Sequence, residues 1–136
     1  MRARWKRREP GTMNDGERAW SERLEAISRR VQSGNSLSPA LYGIPAEVEE
    51  FRFEGMVLKL AKLTRYTPDF FVLLSDGTIE FHEVKGSWKA PGQEDSRVKI
   101  KVAAEMFPWF VFRSVVVKRR PKSLGGGWDF QVEQIG

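Results

Sequence analysis

The sequence predicts a single α/β domain in which helices pack on a mixed central sheet. Three observations carry this expectation. Trp20, Leu24, Ile27 and Val31 recur at spacings of four, three and four, the stripe of an amphipathic helix. Two strand-like runs, "TPDFFVLL" and "TIEFHEVK", stand close together around a Gly-containing turn. "WFVFRSVVV" is a continuous apolar run, as expected of a central strand covered on both faces. At 136 residues the chain suits one hydrophobic core.

Residues 1–13 are polar, basic and broken by Pro and Gly, and read as a flexible arm ahead of one domain over residues 14–136. The first helix opens at Asn14, whose side chain suits an N-cap, with Glu17 three residues on as in a capping box. "QSGNSLSPALYGIP" is a loop by its Gly, Ser and Pro content. "VEEFRFEG" and "MVLKLAK" read as a hairpin around Glu54 and Gly55, followed by the second hairpin across "SDG". A loop, "GSWKAPGQED", leads to a second helix over residues 96–107, which ends before Pro108. After the apolar strand come a basic turn, "KRRPKSLGGG", and a last edge strand, "WDFQVEQI". The expected order is α-β-β-β-β-α-β-β.

Net charge is +5, and the excess gathers in "MRARWKRR" and "VKRRPK". Such clusters fit a polyanion, nucleic acid first, and single out Arg2, Arg4, Lys6, Arg7 and Arg8 as contacts. A solvated basic tail explains the same residues without a partner. The absence of cysteine excludes disulfides, thiolate catalysis and cysteine-held zinc. One histidine, His82, excludes multi-histidine metal sites. No run is long enough to span a bilayer and no N-terminal segment resembles a signal peptide, so a reducing cytoplasm is the expected setting, with no membrane partner.

Asp69, Glu83 and Lys85 interrupt runs that otherwise belong in a core, where charge is costly unless paired or bound. Whether they meet depends on one turn. A two-residue Asp76-Gly77 turn places Asp69 and Glu83 on opposite faces. A three-residue loop, Ser75-Asp76-Gly77 with a left-handed glycine, sets Leu74 against Thr78 and Asp69 against Glu83, with Lys85 on the same face. Both turns suit the local sequence. Two facing acids repel unless a cation lies between them, and oxygen ligands favour a hard ion such as Mg²⁺, or Mn²⁺ in its place. A buried Asp/Glu–Lys ion-pair cluster is the alternative.

Further residues bear on this site. Glu17 falls on the apolar stripe of the first helix, where it reaches toward the sheet as an added ligand or simply closes the capping box. On the second helix, Val98, Val102, Met106, Ala103 and Phe107 span one arc that includes Lys99. A lysine there can meet a phosphate at the helix N-terminus, or can snorkel to water. His82 alternates with Glu83 and points to the other face, as a packed or hydrogen-bonded residue. Trp88 and Lys89, in the following loop, are candidates to stack on or touch nucleic acid, or to pack on their own domain.

These residues resemble the PD-(D/E)xK nuclease superfamily. Pro68-Asp69 matches its "PD", Glu83-Val84-Lys85 its "ExK", and Glu17 the acidic residue many members carry on the first core helix. The segment "FEGMVLKLAKLTRYTPDFFVLLSDGTIEFHEVKG", followed by "RVKIKVAAEMFP", is similar to small phage-encoded endonucleases of that superfamily, over residues 14–130. The resemblance implies a restriction-endonuclease-like αβββαβ core and Mg²⁺-dependent hydrolysis of DNA phosphodiesters, with branched DNA of the Holliday-junction type among the substrates. It implies that Asp69, Glu83, the Val84 carbonyl and Glu17 hold the metal, while Lys85 orients water or stabilises developing charge. If phage-encoded, the protein would act in the host cytoplasm. One site per chain means that coordinated double-strand cutting would need a homodimer. The rival readings are a non-catalytic nucleic-acid-binding module that keeps the fold, and a phage structural protein; neither has a use for buried acids.

Overall fold

Asn14 caps α1, Asp15–Ala26. The computed structural model describes residues 12–28, 36–86 and 94–136. The basic residues Arg2, Arg4, Lys6, Arg7 and Arg8, the end of the first helical stripe at Val31, and the loop residues Trp88 and Lys89 lie outside the described residues.

Among the described residues seven strands follow α1: β1 Val48–Phe53, β2 Leu58–Ala61, β3 Thr64–Tyr66, β4 Phe70–Leu74, β5 Ile79–Lys85, β6 Val111–Arg119 and β7 Trp128–Ile135. Helix α2, Glu94–Met106, lies between β5 and β6. A five-stranded sheet has the order β1-β4-β5-β6-β7, and β2-β3 form a separate pair. Only β5 and β6 run parallel within the large sheet; the other neighbours are antiparallel. A parallel step needs a crossover, and α2 supplies it. The protein is therefore mixed α/β, as the order of elements predicts.

Alternation along β4 and β5 divides the core into two layers. Phe70, Val72, Leu74 and Val84 pack with Trp20, Leu24 and Ile27 of α1. Phe81 turns the other way, with Phe112, against Ile100 and Ala103 of α2 and against Leu58, Leu60 and Tyr66.

Two expectations are corrected. The predicted hairpin around Glu54 and Gly55 does not form: β1 pairs with β4, and β2 pairs with β3. The reason is burial, since Val48, Phe51 and Phe53 pack on the α1 layer while Leu58 and Leu60 pack on the α2 layer. Glu54, at φ 52°, redirects the chain between them. The buried arc of α2 is also different. Ile100 and Ala103 are buried, with Ala104 and Phe107 packed beside them, whereas Val98, Val102 and Met106 are exposed. Lys99 lies at the border of these sides, 31% exposed and 3.5 Å from Asp95, one turn away.

Candidate active site

The turn between β4 and β5 is the three-residue form. Leu74 N–H donates to the Thr78 carbonyl (2.9 Å), and Gly77 N–H donates to that of Leu74 (3.0 Å). Gly77 takes φ 90°, a conformation that favours glycine. Phe70 then lies opposite His82. Asp69, one residue before β4, consequently faces Glu83. A two-residue turn would have thrown one of these acids to the other side.

The carboxylates are held from different directions. Val84 N–H donates to Asp69 Oδ2 at 2.8 Å. Tyr66, on β3, donates its hydroxyl to Glu83 Oε1 at 2.6 Å. Lys85 Nζ sits 3.2 Å from Glu83 Oε2 and 3.3 Å from Ser96 Oγ on the first turns of α2. Ser114, next to Glu83 on β6, is buried, and its Oγ is the buried side-chain polar atom that lacks a hydrogen-bond partner among the described residues.

Burial raises the proton affinity of both acids, and Lys85 opposes it. Burial, with Glu83 next and Glu17 further off, pushes Asp69 up to about 8 against the pull of Val84 N–H and Lys85. Burial also pushes Glu83 up, opposed by Lys85 and Tyr66. Burial and the Glu83 charge raise the Tyr66 hydroxyl far above its ordinary value, so it remains a donor. Asp69 thus keeps its proton through neutral pH, whereas a carboxylate fully paired with a lysine would release it.

Glu17 is buried, and its capping box is closed: Asn14 N–H donates to Glu17 Oε1 (2.9 Å), and Glu17 N–H donates to Asn14 Oδ1 (2.8 Å). Its charge reaches Asp69. Among the described residues no three histidine or acidic side chains form a group that could hold a metal ion. Glu17 thus adds to the field at Asp69 and also closes the cap. Lys99, tied to Asp95, has no bond to either carboxylate.

The N-terminus of α1 sits close to the end of β5. Asn14, Asp15 and Gly16 form one wall of a cleft of about 390 Å³, with Val84, Lys85 and Gly86 opposite and Trp128 at its side. Gly16 permits this approach, because a Cβ there would stand 2.8 Å from Val117 Cγ2.

On the opposite face from Glu83, a polar chain locks α1 to the sheet. Trp20 Nε1–H donates to His82 Nδ1 (3.1 Å), which leaves Nε2 as the protonated nitrogen, donating to Glu80 Oε1 (2.9 Å). Arg113 grips both oxygens of Glu80 at 2.7 and 2.8 Å. Burial pushes His82 down, so the ring stays neutral. Burial pushes Glu80 up, but the bonds from His82 and Arg113 outweigh it and hold the carboxyl below the usual range. His82 is thus a packed, hydrogen-bonded residue, as its alternation with Glu83 predicts.

Sequence reasoning missed Tyr66, Ser96 and Ser114. Tyr66 carried a usable signal: a tyrosine hydroxyl in an otherwise apolar environment needs a partner, and an acid stands nearby. Ser96 and Ser114 had none, because their value depends on a helix face and on strand pairing. Comparison of the chain with protein-family models, curated proteins and solved structures returned no match.

Proposed function

We propose that the protein is a metal-dependent endonuclease that hydrolyses DNA phosphodiester bonds. The single observation that carries this is Asp69 facing Glu83 with Lys85 beside them, largely buried together at the end of β5. An Asp69 carboxyl pushed up to about 8, with Lys85 as the lysine beside the pair among the described residues, is a group that a bound cation would bring back down. A pure nucleic-acid-binding module gains nothing from such a pair, which repels phosphate.

The path of the chain supports the same reading. With the β2–β3 pair regarded as an insertion, the remaining order α1-β1-β4-β5-α2-β6 is an αβββαβ sequence with a mixed sheet, compatible with a restriction-endonuclease-like core. "PD" immediately precedes β4 and "ExK" ends β5, an arrangement compatible with the resemblance.

The donor set fits a hard divalent ion. Asp69 and Glu83, with the Val84 carbonyl, would hold Mg²⁺ or Mn²⁺ through oxygen alone. When bound, such an ion supplies Lewis acidity and offsets charge that builds on the phosphoryl group. The chain's own residues do the positioning. Val84 N–H fixes one Asp69 oxygen, and Tyr66 fixes one Glu83 oxygen. Lys85 has Ser96 as a second partner, which would hold its ammonium at the site if Glu83 bound a cation. There it donates to the attacking water or the phosphate. The cleft beside Lys85 gives the DNA backbone a route to it.

Incubating the protein with linear duplex, flap and four-way-junction DNA, in Mg²⁺ and in EDTA, tests the proposal and ranks the substrates. Cleavage of at least one substrate in Mg²⁺ and of none in EDTA is expected. No cleavage of any substrate with either Mg²⁺ or Mn²⁺ refutes it.

A further inference from the structure

The β2–β3 ribbon has two unlike faces. Leu58, Leu60 and Tyr66 turn inward and are buried with Phe81, Ile100 and Ala103. Lys59 and Arg65 turn outward, are exposed, and lie directly opposite each other. Lys62, also exposed, stands in the two-residue turn between Ala61 and Thr64, where Asn, Asp or Gly is usual. Residues 55–68 contain these three cations and no acid. Like charges set directly opposite across an antiparallel pair are destabilising. Among the described residues none of the three has an ion-pair partner to relieve this. Elsewhere on the surface Arg52, Arg119 and Arg120 are paired, with Glu50, Asp15 and Asp129.

We propose that the outer face of this ribbon, Lys59, Lys62 and Arg65, binds the phosphate backbone of DNA beside the bond to be cut. The choice of DNA as the polyanion rests on the nuclease proposal. The place follows from the inner face of the same ribbon. Tyr66, next to Arg65, donates to Glu83 at 2.6 Å, and Asp69 follows three residues after Tyr66. The cations therefore begin at the edge of the acid pair. Two carboxylates there repel phosphate, and a cationic strip alongside offsets that repulsion. A polyanion lying on the strip also removes the like-charge opposition of Lys59 and Arg65, which is otherwise without return in the folded chain. From Lys59 to Lys62 the ribbon runs about 10 Å at ~3.3 Å per residue, the rise of about three nucleotides of one DNA strand.

Fluorescence anisotropy of a dye-tagged DNA duplex, titrated with the full chain in Ca²⁺ over a range of salt, reads binding apart from cleavage. Lys59→Gln combined with Arg65→Gln should lower the slope of log affinity against log salt by about two, at ~0.9 per phosphate contact. Binding at low salt should weaken by about tenfold or more. Arg97→Gln combined with Lys101→Gln removes the same charge from exposed positions of α2 and should lose much less. Lys59→Glu sets opposite charges across the ribbon, so it should weaken DNA binding while the melting temperature holds or rises. That result separates a lost contact from a lost fold. The expected loss of slope in a protein that does not cut DNA in Mg²⁺ would support the ribbon and refute the nuclease proposal. A ribbon variant that binds with the wild-type slope overturns the inference even if the wild type cuts. So does a wild type that does not bind DNA, or an α2 control that loses as much as the ribbon pair. Loss of binding to phosphatidylserine vesicles with DNA binding intact overturns it as well, since the ribbon would then face a membrane.

Discussion

Replacing Asp69 by asparagine should stabilise the metal-free fold increasingly as pH rises toward about 8, and leave it nearly unchanged below about pH 4. Asparagine keeps a carbonyl oxygen to accept from Val84 N–H and removes the charge that Glu83 and burial oppose. The sign follows from proton binding. Folded Asp69 titrates near 8 and an ordinary aspartate at 3.8, so between these values the native state retains a proton that the unfolded chain has released. Stability therefore falls as pH rises through this window and levels off above about 8. At ~1.4 kcal/mol per pH unit, moving from about pH 6 to about pH 9 removes roughly 3 kcal/mol through this one group. The variant lacks that loss. Urea unfolding of both proteins in EDTA at the two pH values should show the variant gaining roughly 3 kcal/mol on the wild type. A difference between the two proteins that does not change with pH would refute the claim that Asp69 is held against its charge.

Three other outcomes follow from the same site. Millimolar Mg²⁺ or Mn²⁺ should raise the melting temperature more at pH 8 than at pH 5, because cation and proton compete for Asp69; no rise at neutral or alkaline pH counts against a preformed site. Tyr66→Phe keeps the ring and removes the donor to Glu83, so it should raise the Glu83 proton affinity further and cost about 1–2 kcal/mol in urea unfolding. Unchanged stability would show that this 2.6 Å bond holds nothing. Glu17→Gln retains an oxygen for Asn14 N–H, so stability should change by less than ~1 kcal/mol while Asp69 titrates lower. Loss of metal-induced stabilisation as complete as in Asp69→Asn would instead make Glu17 a ligand.

Local chemistry in the sequence reached far into this structure where neighbours in the chain are neighbours in space. Asn14 and Glu17 close the predicted capping box, and the strands around "SDG" pair with each other. The facing of Asp69 and Glu83 was narrowed to a choice between two turns, but the choice rests on the left-handed Gly77, which either turn accommodates in the sequence. Non-local pairing was less legible. The expected β1–β2 hairpin fails because the two runs bury their apolar residues in different layers, and nothing within either run says which layer. Helix α2 misled for a related reason: with apolar residues on both sides, its periodicity does not say which side meets the sheet. Tyr66 belongs to a three-residue strand too short to show alternation.

The central claim is that Asp69, Glu83 and Lys85 form a hydrolytic centre, and side-by-side cleavage assays in Mg²⁺ test it most directly. Wild type, Asp69→Asn, Glu83→Gln and Lys85→Ala are compared on the DNA substrate that wild type cuts fastest, with binding measured in Ca²⁺ as a control. The account predicts that each variant loses roughly 10²-fold or more in rate, while DNA binding survives the two amide substitutions. Cleavage at the wild-type rate by both Asp69→Asn and Glu83→Gln would contradict it.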